Sequence, residues 1–250
     1  MKASGWEFRH RLWIILAIYG LGFTTPWDAV LHLDGQGANA HGWGWAAGVL
    51  TSGGVMSFQT AFAAVLVAAI VCAVLGAWLR IWGSAYLGAD VMGDAAMRGE
   101  AMMADGPYRY MRNPLYLGSW LNTLALMLLM RPSGAVFTLV VLVLFHVRLI
   151  LAEEVFLREK LGEGYVAYCA AVPRLMPRFK VRGSGFEGNN RHARWGQAAL
   201  AEVYMWGSAL SFAVLGWRYD TGLLLQAMLV CLGVSLVVKG LGLGQRGEAA

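Results

Sequence analysis

The sequence predicts an all-α integral membrane helical bundle, and its composition is the first reason. Of the 250 residues, 58% are hydrophobic and only 14% are charged, and the mean hydropathy is +0.53. Soluble domains carry about a quarter charged residues, so this chain has too little charge to cover a water-exposed surface. Its three cysteines, Cys72, Cys169 and Cys231, are not spaced as a disulfide framework or a zinc signature. These counts exclude a soluble enzyme, a disordered chain and a disulfide-rich secreted module.

Six apolar stretches are the second reason, because a helix needs about 20 apolar residues to cross a bilayer. The first is expected to be an uncleaved helix, since no small-x-small cleavage site follows it. The Arg131-Pro132-Ser133-Gly134 turn predicts that the third and fourth form an antiparallel hairpin. The glycine-rich residues 35–57 are expected to be a loop that lies on the membrane or dips into it. We therefore expect about six transmembrane helices, over residues 12–27, 58–79 (ended by Arg80), 114–130, 135–151, 198–217 and 223–238.

The distribution of basic residues is the third reason, and it gives an orientation. With a cytoplasmic N-terminus, all of the 20 lysines and arginines except Arg131 and Arg218 fall on the cytoplasmic side, as the positive-inside rule requires. The net charge of +5 then faces anionic lipid rather than nucleic acid. We expect both termini in the cytoplasm of a multi-pass protein of the bacterial inner membrane. The expected regions are residues 1–79 with two helices, 80–195 with the hairpin 114–151 and two cytoplasmic segments, and 196–250 with the last helix pair.

The first group of candidate site residues lies where the third helix begins. Asn113 is expected to cap this helix and Pro114 to occupy its first position, so the free N–H groups there favour an anion. Arg112 adds donors for a carboxylate or phosphate. The alternative is a plain helix start that tyrosines and arginines anchor at the membrane interface. Aromatic faces that can hold a flat ring or a cation come from Tyr108, Tyr110 and Tyr116.

The second group lies at the cytoplasmic end of the fourth helix and consists of His146, Arg148, Glu153 and Glu154. Acids at the end of an apolar run are costly near lipid and indicate a functional site. His146 and Glu153 are seven residues apart and share a helix face. The alternatives are a plain surface pair between Glu154 and Arg158 and a packing hydrogen bond for His146.

The third group is a rigid basic segment that follows the fourth helix. Gly162 and Gly164 are expected to break the helix, and two prolines to keep the chain extended. The arginines offer further donors to anions, and the alternative role of the segment is anchoring to lipid headgroups. Its candidate residues are Tyr165, Tyr168, Pro173, Arg174, Pro177 and Arg178.

Together these groups resemble the superfamily of integral membrane methyltransferases that contains the isoprenylcysteine carboxyl methyltransferases and the phospholipid N-methyltransferases. The resemblance spans about residues 80–178 and rests on three elements in family order, with a helical hairpin between the first two. These elements are Gly-Pro-Tyr-x-x-x-Arg-Asn-Pro-x-Tyr-x-Gly, the Glu153-Glu154 pair, and Gly-x-x-Tyr-x-x-Tyr-x-x-x-Val-Pro-Arg. The resemblance implies S-adenosylmethionine as methyl donor and S-adenosylhomocysteine as product. It also implies a lipid-like or prenylated acceptor that enters from the bilayer and is methylated directly on a carboxyl, amine or thiol.

Carried over residue by residue, the resemblance implies candidate catalytic and cofactor-binding residues. The catalytic candidates are Glu153, Glu154 and Arg112. Glu153 is the candidate base for an ammonium acceptor, and Arg112 or Arg174 is the candidate to orient an acceptor carboxylate. No metal is expected, because His32, Asp34 and His41 are irregularly spaced. The implied cofactor-binding residues are Tyr108, Arg112, Asn113, Pro114, Tyr116, Leu117, Gly118, His146, Glu153, Glu154, Tyr165, Tyr168, Pro173 and Arg174.

Two features depart from the family pattern and leave the acceptor open. The isoprenylcysteine enzymes usually have histidine where this chain has Asn113, which is closer to the phospholipid branch. The last two helices, from Ala198 on, match no part of the shared motifs. Two other functions also fit the sequence. One is an NADPH-dependent membrane reductase of the sterol or enone type, which shares a similar helical scaffold. The other is a small non-enzymatic transporter or scaffold, although that function predicts acids at the bilayer midplane.

Overall fold

The protein is all-α, as predicted. The computed structural model describes residues 2–25, 27–30, 41–54, 56–87, 104–178 and 192–242, and these form helices without a strand. Short 3-10 turns cover Gly106–Arg109, Met127–Leu129 and Gly216–Arg218. The helices are α1 (Gly5–Arg9), α2 (Arg11–Thr24), α3 (Trp27–Val30), α4 (Gly42–Ser52), α5 (Phe58–Leu87), α6 (Pro114–Leu126), α7 (Pro132–Ala171), α8 (Trp195–Ala201), α9 (Val203–Leu215) and α10 (Thr221–Gly240).

Three helices, α5, α7 and α10, are long and apolar enough to cross a membrane. A bent pair, Trp195–Ala201 with Val203–Arg218, counts as a fourth span if its 74° bend lies within one crossing. The segments Arg11–Thr24 and Pro114–Leu129 are apolar but shorter. The membrane bundle is therefore confirmed, with three to four candidate spans, by length and composition, among the residues that the structure describes. The count of six spans, the cytoplasmic termini and the inner-membrane location stay predictions.

Helix α5 is the centre of the bundle and packs against α4, α6 and α9. Its alanine-rich sequence lets neighbouring backbones approach, most closely where Gly76 meets Gly118 of α6. A Cβ added at Gly118 would lie 2.8 Å from the Gly76 carbonyl oxygen, so neither position has room for a side chain. The prediction that this helix ends at Arg80 is wrong, because the helix continues to Leu87. The charge of Arg80 is accommodated by a carboxylate from the C-terminal region, described below.

The predicted antiparallel hairpin is present in α6 and α7. Tyr116 contacts Glu153, while Trp120, one turn further along α6, contacts His146, which lies about two turns before Glu153 on α7. The main packing partners of the two helices nevertheless differ, since α6 lies chiefly against α5 and α7 against α2. Where these two helices face each other, long side chains bridge them.

Two expected loops are largely helical. Helix α7 does not end near residue 151 but continues to Ala171, with one break at Gly162, where φ is +60°. Gly164 does not break it. Residues 42–52 of the expected glycine-rich loop form α4, whose Trp43 is 2% exposed and belongs to the core around α5. Apolar packing therefore makes both segments helical, although their glycine content suggested irregular structure. The remaining expectations for residues 35–40, 88–103 and 179–191, and for His32 and Asp34, lie outside the described residues.

Candidate active site

The first and third sequence motifs lie side by side at the end of the α6–α7 hairpin. The backbone N–H of Arg112 donates to the Pro173 carbonyl at 2.9 Å, and that of Asn113 donates to the Arg174 carbonyl at 3.2 Å. The Asn113 side chain also donates to the Arg174 carbonyl, at 3.1 Å. Asn113 occupies the N-cap position of α6 but makes no side-chain cap hydrogen bond. The expected capping role is therefore wrong, and this side chain joins the two motifs instead.

The contact between the first and third motifs is called the junction below. Glu154 stabilises it by pairing with two arginines, one from each motif. Arg174 donates to both carboxylate oxygens, at 2.9 and 2.7 Å, and Arg112 Nη1 lies 3.1 Å from Oε1. The alternative of a surface pair between Glu154 and Arg158 is wrong, since the Glu154 side chain is only 8% exposed and is paired elsewhere. The Glu154 hydrogen bond raises the pKa of Arg174. Both arginines are thus committed to Glu154, which limits their expected role in orienting an acceptor carboxylate.

Glu153 has a different environment, although it is the adjacent residue. Its Oε1 accepts a hydrogen bond of 2.9 Å from the Tyr116 hydroxyl. Within the described residues, no arginine, lysine or histidine comes within ion-pair distance of it. Glu153 is half-buried. A carboxylate with one neutral donor keeps the capacity to bind a cation.

His146 lies deeper in the hairpin than Glu153 and is 3% exposed. Its Nδ1 accepts a hydrogen bond of 2.9 Å from the indole N–H of Trp120. The Tyr116 ring meets the imidazole edge-on, with 5.1 Å between the ring centroids. The sequence did not single out Trp120, although a tryptophan one turn after Tyr116 on the same face was a usable signal.

Tyrosines close the other side of the junction. The Tyr168 hydroxyl donates to the Tyr108 carbonyl at 2.7 Å, and Tyr165 packs against Tyr168 with 5.9 Å between ring centroids. The Tyr108 hydroxyl and Arg112 Nε are enclosed by protein and make no hydrogen bond with the described residues. Burial raises the pKa of Tyr108 far above its usual range, so the hydroxyl is a protonated donor. Such orphaned donors cost about 1–3 kcal/mol each.

The remaining candidates of the first motif have structural surroundings. Pro114 fills the first position of α6, as expected, and is buried. Gly118 faces α5, where Arg80 Cγ lies 2.7 Å from a hypothetical Cβ, so its contact is helix packing. Leu117 is half-buried. The structure therefore brings Tyr108, Arg112, Asn113, Tyr116, His146, Glu153, Glu154, Tyr165, Tyr168, Pro173 and Arg174 to one end of the hairpin and leaves Gly118 on its outer side.

A second charged cluster beside the site was missed by the sequence motifs. Glu202, between α8 and α9, is 2% exposed and accepts hydrogen bonds from Arg80 Nε at 2.6 Å and Nη2 at 2.8 Å. Ser84 donates to the same carboxylate at 2.8 Å. Arg80 also donates to Ser119 of α6, at 2.9 Å. The sequence does show a single basic residue, Arg80, in one apolar segment and a single acidic residue, Glu202, in another. Their spacing in the sequence could not indicate that they form a pair.

The described residues contain no group of three or more histidine, cysteine or acidic side chains that could hold a metal ion. His41, the described member of the irregular outer trio, precedes α4 and is exposed. The expectation that no metal takes part stays a prediction.

Comparison with known proteins agrees with the motifs. The family model for phospholipid methyltransferases matches residues 64–164. No curated protein and no solved structure matches the chain. The matched range contains most of α5, the first motif and the Glu153-Glu154 pair, and it ends before Tyr165 and Glu202. The resemblance stated from the motifs is confirmed, and with it the coarser prediction of a membrane methyltransferase. Through residues 64–164, the chain is similar to the phospholipid methyltransferases, a family of integral membrane methyltransferases.

Proposed function

We propose that the protein is an S-adenosylmethionine-dependent methyltransferase that methylates a lipid-like or prenylated acceptor where the bilayer meets the cytoplasm. One observation carries the proposal. The Arg112–Glu154–Arg174 cluster neutralises one of two adjacent glutamates and joins both motifs, while Glu153 keeps an uncommitted carboxylate beside Tyr116. A purely structural pair of acids gives no reason for this division.

The donor set fits the chemical groups of the proposed cofactor. Glu153 suits its sulfonium or ammonium, since a half-buried carboxylate attracts a cation strongly. The orphaned Arg112 Nε and Tyr108 hydroxyl are donors for the cofactor's carboxylate or ribose oxygens. The buried faces of Tyr165 and Tyr168 suit a flat base. When bound, S-adenosylmethionine supplies an electrophilic methyl group.

The residues of the chain then do three things. The Glu154 cluster and the backbone pairing of the motifs hold the site rigid, which supports in-line geometry. Packing around Tyr108, Tyr165 and Tyr168 excludes water from the junction. Glu153 takes the proton if the acceptor is an ammonium, and a carboxylate acceptor needs no base. The basic residues of this end support a site that faces the cytoplasm.

Calorimetric titration of the purified full chain with S-adenosylhomocysteine tests the proposal, with NADPH titrated in parallel. We expect micromolar binding of the former and none of the latter. The comparisons give no support to the reductase or the transporter, and binding of NADPH alone would overturn the proposal. Transfer of a labelled methyl group into lipid extracts then identifies the acceptor class.

A pair of matched variants tests the site assignment. Glu153→Gln removes the uncommitted carboxylate, and we expect S-adenosylhomocysteine affinity and turnover to fall at least tenfold. Glu159→Gln is the control, because it is the same substitution on an exposed face of the same helix. Arg112→Ala should behave like Glu153→Gln. Full activity in both site variants, with folded protein, would show that the site lies elsewhere.

A further inference from the structure

The interface between α6 and α7 contains a polar column, of which His146 and Trp120 have no role in the proposed transfer chemistry. These consecutive helices have few close backbone approaches, and their polar side chains span the space between them. Trp120 bonds to His146, the His146 ring meets Tyr116, and Tyr116 bonds to Glu153. The interface therefore has polar groups at two heights along α7, with Glu153 nearer the motif region and His146 about two turns before it.

The Trp120 contact determines the protonation of His146. An indole N–H can only donate, so His146 Nδ1 must present its lone pair. A neutral imidazole with an accepting Nδ1 carries its proton on Nε2. That Nε2–H makes no hydrogen bond with the described residues. His146 is thus a 3% exposed side chain with a fixed tautomer and an unused donor.

The position of this donor separates it from the cofactor junction. His146 precedes Glu153 by seven residues, which is about 10 Å along a helix. That displacement leads into the apolar half of α7, away from the Arg112–Glu154–Arg174 cluster.

We propose that His146 Nε2–H binds an oxygen of the acceptor's polar head, and that Trp120 is the positioning residue that holds His146 in the donating tautomer. The ligand class is an apolar chain that ends in a carboxylate or a phosphate. An ammonium cannot occupy this point, because both it and the Nε2–H are donors. This inference rests on the proposed function and moves His146 from the cofactor to the acceptor.

Nuclear magnetic resonance of the full chain, labelled with ¹⁵N-histidine in detergent micelles, tests the proposal. The His146 signals are identified by their loss in His146→Phe. We expect an accepting Nδ1 and a protonated Nε2 in the free protein. Dodecanoate or dodecyl phosphate should shift the Nε2 resonance saturably, and the two arms distinguish carboxylate from phosphate. Dodecylamine, with the same chain, should leave it unchanged.

Trp120→Phe tests the positioning role by a readout that loss of packing alone does not produce. We expect the His146 ring to become a mixture of both neutral tautomers and anion affinity to fall about tenfold. Trp206→Phe is the matched control, since its indole also donates one hydrogen bond, to the Ala199 carbonyl at 2.9 Å. A single unchanged tautomer in Trp120→Phe would overturn the positioning role.

Three results would overturn the ligand assignment: a proton on Nδ1 in the wild-type protein, no shift with either anion, or an equal shift with dodecylamine. Calorimetry separates this inference from the proposed function. His146→Phe should keep S-adenosylhomocysteine affinity within about twofold, whereas a tenfold loss would return His146 to the cofactor site and overturn the inference. Failure of the wild-type protein to bind S-adenosylhomocysteine would overturn the proposed function, while the resonance results would still be interpretable.

Discussion

Two buried glutamates, Glu202 beside the C-terminal helices and Glu154 in the motif region, use the same chemistry for different purposes. Each accepts two hydrogen bonds from an arginine distant in sequence. Glu202 meets Arg80 in the bundle interior and ties α8 and α9 to α5 and α6. Glu154 meets arginines of two loops and joins the two motifs of the candidate site, which leaves its neighbour Glu153 without an ion pair among the described residues.

Burial decides what an acid–arginine pair contributes to stability. The side chains of Arg80 and Glu202 are 22% and 2% exposed, and Arg174 beside Glu154 is 46% exposed. A third pair, Arg148 with Glu7 of α1, is more exposed on the acid side, at 33% and 23%. The cost of breaking a pair should follow this order, because water screens the exposed pairs and cannot replace a lost partner in the interior.

The largest effect is expected for Glu202→Gln. The substitution leaves the Arg80 charge in the interior without a counter-charge, which costs about 3–5 kcal/mol. The free energy of unfolding, measured by denaturant titration in mixed micelles, should fall by this amount. Glu159→Gln is the exposed control and should change it by less than about 0.5 kcal/mol. Equal stability of the two variants would show that the ion pair between Arg80 and Glu202 does not stabilise the fold.

Glu154→Gln should have a smaller effect on folding and a larger one on binding. Losing charged hydrogen bonds costs about 1.5–3 kcal/mol, since water can replace the lost partner of Arg174, which is 46% exposed, although less so for Arg112, which is 11% exposed. S-adenosylhomocysteine affinity should fall at least tenfold, since the two motifs are no longer held together. Calorimetry on Glu154→Gln and Glu202→Gln at equal folded fraction provides the comparison. Stronger loss of binding in Glu202→Gln would reverse the assigned roles.

Tyr116→Phe removes one neutral hydrogen bond from Glu153 and keeps the ring against His146. We expect a loss of about 1 kcal/mol in binding or turnover, or roughly fivefold. Tyr204→Phe is a control on α9, where the tyrosine is half-buried in the α5 core. An effect as large as that of Glu153→Gln would mean that the hydroxyl itself contacts the ligand.

The smallest effect is expected for Glu7, and it depends on pH. Hydrogen bonds from Arg148, and then from the Ser4 backbone, lower the pKa of Glu7 from its usual value of 4.5 to about 2. A lowered pKa in the folded state stabilises the protein fully above pH 4.5, and this contribution is lost as pH falls through about 2. Glu7→Gln should cost less than about 1 kcal/mol at neutral pH and flatten stability between these values. If stability falls at acid pH in Glu7→Gln as it does in the wild-type protein, other groups govern this pH dependence.

Much of the fold follows from the sequence because apolar length is a local property. The start of α6 at Pro114 and the antiparallel hairpin of α6 and α7 were predictable from local patterns. The extension of α5 past Arg80 and of α7 past residue 151 was not. A charge ends an apolar stretch but does not end a helix, and Glu202 neutralises Arg80 within the bundle here.

The site shows the same division. Motif order in the sequence was sufficient to gather Arg112, Glu153, Glu154 and Arg174 into one group and to indicate a membrane methyltransferase. The sequence could not assign different roles to Glu153 and Glu154, because adjacent residues on a helix face different neighbours and only the tertiary structure supplies those neighbours. It likewise could not reveal that Trp120 fixes the tautomer of His146 or that Glu202 pairs with Arg80. Such contacts depend on how helices distant in sequence pack, and no local pattern records that packing.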